Sequence, residues 1–158
     1  MKLEKWALIA EIIGGIAIVV SLIFVGYEVR QNTQATQIAA YQQLINGISE
    51  FNIQTLENPD LRAVRNKLES GTSIEELNPD EQQIINAFLY LTYRNGDMAY
   101  MQYRGGLIDE ERLISGMGIL VKFLAIPTVQ SHWNQAKSGF VDEYSDYIDA
   151  LIETTGSQ

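Results

Sequence analysis

The side chains that most often perform chemistry in proteins are scarce in this sequence. It has one histidine, His132, and no cysteine. A single histidine cannot supply a two-histidine zinc site or a di-iron Glu-x-x-His pair, and without cysteine there is no thiolate nucleophile and no disulfide. Neither a phosphate-binding glycine-rich loop nor a G-x-S-x-G elbow occurs. We therefore expect no catalytic residue, no cofactor and no bound metal, and a protein that is not an enzyme.

Two sets of polar side chains could still form a site. They are four tyrosines and four acids at roughly helical spacing: Tyr90, Tyr93, Tyr100 and Tyr103, and Asp142, Asp146, Asp149 and Glu153. The tyrosines could line a ligand groove, but this spacing more often fills a helical core. The acids could recruit Ca²⁺ or a basic partner, but they lack the glycine-bearing loop of an EF-hand. We favour a tyrosine-rich core, a solvated acidic face and a structural His132.

The longest apolar stretch runs from residue 6 to residue 27. At about 1.5 Å per residue it would form a helix of roughly 33 Å, enough for a hydrocarbon core of about 30 Å. Trp6 and Tyr27 lie at its two ends, where amphipathic rings favour the headgroup boundary, so we expect them to be membrane-interface anchors. The sequence therefore predicts a transmembrane helix.

Glu11 is the one Asp, Glu, Lys or Arg in this stretch. An acid within a membrane span is costly and suggests an ion or proton site, which makes Glu11 a possible pore or ion site. It lies about one turn from Trp6, however, and could reach headgroup water or pair with Lys5 at smaller cost. An interfacial or packing role is favoured, and the ion site is the alternative.

Small residues form a stripe on the same helix. At 100° per residue its five members fall within about 80° of one another. Such a stripe lets a second helix approach closely in lipid, although alanine and glycine are also common in membrane helices generally. The predicted packing residues are Ala7, Ala10, Gly14, Ala17 and Ser21.

A cleaved signal peptide is the rival interpretation of the N-terminus. The apolar run exceeds the 7–15 residues of a typical signal peptide, Glu11 interrupts it, and no A-x-A-like cleavage site follows. We therefore expect a single-pass membrane protein. Lys2 and Lys5 precede the helix and Arg30 follows it, a small bias towards a cytoplasmic N-terminus. The side on which the domain lies stays open.

The net charge of −9 is built almost wholly by the second half of the chain. Binding to nucleic acid depends on clustered Lys and Arg, so nucleic acid is excluded as a partner. The expected partners are the lipid bilayer and either further copies of the chain or another membrane protein.

The remaining sequence predicts helices throughout. A helix should continue from the membrane span to Asn58-Pro59-Asp60, which should end it and begin a short second helix. A long helix should run from Asn78-Pro79-Asp80-Glu81 to Arg104. Asp109 should begin another helix, and we expect two more to follow. The fold class is all-α, with the membrane helix continuing into a compact domain of about five helices. The expected divisions are an anchor at 1–30, a neck and first domain helix at 31–57, and the rest of the domain at 58–158.

Several stretches resemble a known family. They are AEIIGGIAIVVSLIFVGYEVRQNT, AYQQLINGISEFN, YRNGDMAYMQYRGGLIDEE, the tryptophan in SHW and the terminal YIDAL. Over nearly its whole length the chain resembles a family of small uncharacterised bacterial proteins with one N-terminal membrane helix and an α-helical domain. The resemblance implies architecture and a membrane location, which for this family would be the bacterial inner membrane, and it transfers no catalytic residue.

The function expected from these features is that of a non-enzymatic, single-pass membrane protein. It would associate through its small-residue stripe and present an acidic helical domain as an interaction or regulatory module. The alternative is a homo-oligomeric ion channel in which Glu11 forms a ring near the pore mouth.

Overall fold

The backbone is helical almost throughout. The computed structural model describes residues 2–155 of the 158, and in that range it contains α-helices and two short 3-10 helices but no strand. The all-α prediction is confirmed. The seven α-helices are α1 (Lys2–Glu57), α2 (Pro59–Glu69), α3 (Pro79–Arg104), α4 (Glu110–Gly116), α5 (Gly118–Leu124), α6 (Pro127–Ala136) and α7 (Asp142–Thr155).

The chain divides into two units, one up to Ala39 and one from Ala40 onward. The first unit is the N-terminal part of α1, in which every side chain that the structure describes is exposed. This part contains one stretch long and apolar enough to cross a membrane. The second unit holds the hydrophobic core.

Two Asn-Pro-Asp sequences begin helices as predicted. The Asn58 side chain accepts hydrogen bonds from the main-chain amides of Asp60 and Leu61, both at 3.0 Å. The Asn78 side chain accepts one from the Glu81 amide at 3.0 Å, and the Glu81 carboxylate accepts one from the Asn78 amide. This reciprocal capping box fixes where α3 starts.

The core of the second unit is arranged around α3. Ile85, Leu89 and Tyr93 are fully buried on this helix. The other helices also contribute buried side chains, among them Leu44, Leu61, Val64, Leu68, Leu113, Met117, Leu120, Leu124, Trp133, Tyr144 and Ile148.

The helix count differs from the expectation of about five. Six α-helices follow α1 in the described range, because the helix expected from Asp109 to beyond Leu124 is divided at Met117 into α4 and α5. Gly116 and Gly118 flank the division, and glycine is disfavoured within a helix by about 1 kcal/mol relative to alanine. Because two glycines lie so close together, this is where an uninterrupted helix is least stable in the segment.

Charge is divided unequally between the two units. Residues 1–39 hold three basic and three acidic side chains, whereas residues 40–158 hold eight Lys and Arg against seventeen Asp and Glu. The entire net charge of −9 therefore belongs to the second unit.

Candidate functional site

The residues predicted to act in the membrane all lie on the first unit. Trp6 is 71 % exposed and Tyr27 is 61 % exposed, and Glu11 is also exposed. Because α1 is α-helical over this whole range, the five small residues of the stripe share one face, as their spacing predicts. No atom lies within 4 Å of where a Cβ on Gly14 would be. The stripe is thus uncovered within a single chain, and its role in packing stays a prediction.

His132 lies against a buried tyrosine in the second unit. Its Nδ1 is 3.1 Å from the Tyr93 hydroxyl, which is also 3.4 Å from the main-chain carbonyl of Val129. Burial lowers the pKa of His132, and the nearby Glu75 carboxylate opposes that shift. Burial raises the pKa of Tyr93 well above its ordinary value. The imidazole and the phenol are thus joined by a hydrogen bond whose direction depends on the imidazole tautomer, and the two groups pack together as part of the structure.

The four tyrosines have different environments. Tyr93 is fully buried, Tyr100 and Tyr103 are half-buried, and Tyr90 is exposed, with its hydroxyl accepting hydrogen bonds from Arg94. Rather than lining one groove, they are divided between the core and its edge.

The acidic residues of α7 are solvated with one exception. Asp142, Asp146 and Glu153 are exposed, whereas Asp149 is only partly exposed and accepts hydrogen bonds from Trp133 Nε1 at 2.9 Å and Lys137 Nζ at 2.7 Å. Burial acts to raise the pKa of Asp149, but these two hydrogen bonds leave it below its ordinary value. Asp149 thus ties α7 to α6 as an anion.

One surface of the second unit was not anticipated from the sequence. It is an open groove of about 450 Å³, bounded by the C-terminal end of α1, the start of α2 and the first half of α3. The rings of Phe51 and Phe88 stack at its base, with centroids 5.2 Å apart. Its apolar lining consists of Phe51, Leu61, Ile84, Ala87, Phe88 and Leu91.

Two of the polar side chains that line the groove make hydrogen bonds within the described part of the chain, and two do not. Thr55 donates to the Phe51 carbonyl at 2.8 Å, and Asn58 caps α2. Asp80 and Gln83 make no side-chain hydrogen bond or ion pair within residues 2–155. Asp80 is the one charged residue among those described as lining the groove.

A second stripe on α3 is the sequence signal for this groove. Asp80, Ile84, Ala87 and Leu91 are spaced by 4, 3 and 4 residues, so they share a face of α3 that differs from the core face at Ile85 and Leu89. Leu91 is 51 % exposed. A helix with apolar residues beyond its core face offers surface for a further partner.

Metal coordination has no support in the described part of the chain. No group of three or more His, Asp or Glu side chains there is arranged to hold an ion. Comparison of the chain with protein-family models, with curated proteins and with solved structures finds no match.

Proposed function

We propose that the chain is a single-pass membrane protein that self-associates or docks through its membrane helix and presents an acidic helical domain for interaction or regulation. We also propose that the chain is not an enzyme. One observation carries it: sixteen large apolar side chains between Leu3 and Val29 are each at least 46 % exposed.

The energetic cost of that exposure in water supports membrane insertion. Burying a large apolar side chain contributes about 1.5–3 kcal/mol, so sixteen of them favour hydrocarbon over water by on the order of 20–50 kcal/mol. Helical hydrogen bonding also satisfies the main-chain amides and carbonyls within a bilayer. The resemblance to small bacterial membrane proteins is the ground for proposing a bacterial inner membrane.

Membrane insertion is tested by placing charges within the span. The double variant Ile16→Arg/Val20→Arg adds about 2.5–3.5 kcal/mol per charge at the centre of a helix. We expect alkaline carbonate to extract this variant from the membrane. We also expect the variant no longer to float with phosphatidylcholine vesicles. The matched control, Gln34→Arg/Ala35→Arg, adds the same charges beyond the span and should float like the wild-type chain. Extraction of the wild-type chain by carbonate would refute the proposal.

Self-association through the stripe is tested by two adjacent glycines. Gly14 lies on the stripe, and Gly15 lies about 120° from its centre. Neither substitution meets an atom within 4 Å in the single chain. We expect Gly14→Ile to lower the mass measured by native mass spectrometry in detergent, and Gly15→Ile to leave it unchanged. Equal effects of the two substitutions would refute a role for the stripe.

The mass measured in detergent also distinguishes this proposal from the alternative, a homo-oligomeric ion channel. A closed ring of about four or more chains would direct attention to Glu11, and Glu11→Gln should then alter conductance or cation preference in reconstituted bilayers. A monomer or dimer could not enclose a pore, and would favour docking to another membrane protein.

The chemistry of the second unit supports binding rather than turnover. Its histidine is hydrogen-bonded to Tyr93, and Asp149 joins two helices. These groups serve packing, which leaves the groove as the surface of this unit most suited to a partner.

A further inference from the structure

The shape of the groove suits a helix. Asp80 and Leu91 mark its length along α3, and their separation of eleven residues corresponds to about 16 Å, or three helical turns. Phe51 and Thr55, one turn apart on α1, also line the groove. A groove that is open along three turns and apolar at its base accepts a helix whose anchors recur at i, i+3 or i+4, and i+7.

The charge at the edge of the groove favours a partner helix that carries positive charge. Among residues 2–155 Asp80 has no ionic partner, while the neighbouring Glu81 is already paired with Lys67 at 2.6 Å. On α2, Arg65 is also engaged, because its guanidinium lies over the rings of Phe88 and Phe123 at 5.6 and 5.1 Å. A negative charge at the edge of an apolar groove has its field strengthened by the low-dielectric walls, and it attracts a cation.

We propose that this groove binds an amphipathic, basic peptide helix of a partner protein, with Lys or Arg beside Asp80 and apolar side chains over Phe51 and Phe88. The inference rests on the proposed function, because it gives the interaction domain a partner of stated chemistry. Charge also disfavours a second copy in the groove, since each copy carries −9 on this unit.

The test is a selection from a displayed library of random 16-residue peptides. The bait is the full chain in phosphatidylcholine nanodiscs, and empty nanodiscs serve as counter-selection. We expect the enriched peptides to carry net positive charge and apolar residues at helical spacing. If the chain fails to load into nanodiscs, the membrane proposal fails alone, and the selection proceeds with the chain in amphipol.

Substitutions in the groove make the result specific. Ala87→Trp fills the groove and should weaken binding of an enriched peptide at least tenfold, with Leu91→Ala as a second, less disruptive variant. Asp80→Asn should weaken binding several-fold and reduce its salt dependence. The controls are Ala150→Trp, on the exposed face of α7, and Asp142→Asn, an acid in the first turn of that helix. Both should bind like the wild-type chain.

Three outcomes would overturn the proposal. The first is no enrichment over empty nanodiscs, and the second is enrichment of acidic or non-amphipathic peptides. The third is binding that Ala87→Trp and Leu91→Ala leave unchanged. Saturable binding of dodecylamine that Ala87→Trp abolishes, without peptide enrichment, would instead identify the groove as a site for small cationic amphiphiles.

Discussion

Tyr144 occupies the space that a side chain at Gly96 would need. The Tyr144 hydroxyl donates a hydrogen bond to the main-chain carbonyl of Tyr93 at 2.8 Å. A Cβ at Gly96 would overlap that hydroxyl and would lie 2.6 Å from Leu120 Cδ2. Gly96 therefore allows α7 and α5 to pack against α3.

We expect Gly96→Ala to destabilise the second unit by more than about 2 kcal/mol, because three packed helices would have to separate. Gly47→Ala is the matched control. It is also within a helix, but no atom lies within 4 Å of its Cβ position, so it should stabilise the chain by about 0.5–1 kcal/mol. Urea unfolding in dodecylmaltoside, followed by near-ultraviolet circular dichroism, measures both. A Gly96→Ala chain as stable as wild type would contradict this packing.

A double substitution shows whether the hydroxyl is what Gly96 accommodates. Tyr144→Phe alone should cost about 1 kcal/mol through its lost hydrogen bond. In the Tyr144→Phe background, Gly96→Ala should cost less than in the wild type by at least about 0.5 kcal/mol, because one of the two closest contacts is gone. Simple additivity of the two free energies would show that Leu120 alone sets the restriction.

Asp149 should matter for stability, unlike the other acids of α7. Asp149→Ala leaves the indole of Trp133 without its acceptor, and an unsatisfied buried donor costs about 1–3 kcal/mol. Asp149→Asn retains an acceptor and should cost less. Asp146→Ala, on the exposed face of the same helix, should change the free energy of unfolding by less than about 0.5 kcal/mol. Equal effects at the two positions would refute the distinction.

The stability of the second unit should depend on pH through His132. Burial lowers the pKa of His132 in the folded chain, so the unfolded chain binds more protons as the pH falls through about 6.5. The stabilisation is fully present above that pH and is lost as the pH decreases towards the folded-state pKa. The slope should not exceed about 1.4 kcal/mol per pH unit.

The control for this pH dependence is simple because the sequence has one histidine. His132→Gln should flatten the profile of unfolding free energy between about pH 5.5 and 7.5, where other side chains with ordinary pKa values do not titrate. A slope that persists in His132→Gln would assign the effect to another group.

The capping box of α3 should contribute measurably to the free energy of unfolding. Asn78→Ala removes the acceptor for the Glu81 amide and should cost about 0.5–2 kcal/mol. Asn86, exposed within the same helix, is the control, and Asn86→Ala should be neutral or slightly stabilising. If both substitutions have the same effect, the cap is not a determinant of stability.

Local chemistry explains which features the sequence could predict. Asn58, Asn78 and Asp109 each cap the helix that follows, and such caps depend on a few adjacent residues. The buried side of α2, formed by Leu61, Val64 and Leu68, also follows from apolar spacing. The division at Met117 was missed because the apolar face of α4 and α5 continues across it and hides the break.

The second stripe on α3 indicates an extra apolar face, but the groove itself could not be predicted because it depends on the distance between α1 and α3. Phe51 and Phe88 are thirty-seven positions apart, and nothing in either local pattern indicates that their rings stack. The partnership of Asp149 with Trp133 was hidden in the same way, since the spacing of the α7 acids is that of an ordinary solvated face. Which member of a regular stripe meets a neighbour is a property of tertiary packing.

The separation of charge between the two units would make any assembly of this chain self-limiting. Residues 1–39 carry no net charge, so in the proposed membrane assembly their helices can gather without electrostatic penalty, but each added copy brings −9 with its domain. Repulsion between the domains reaches about 30 Å at 0.01 M salt and about 10 Å at 0.1 M. Ionic strength, or a basic partner that neutralises the domains, would then regulate how many copies a cluster can hold.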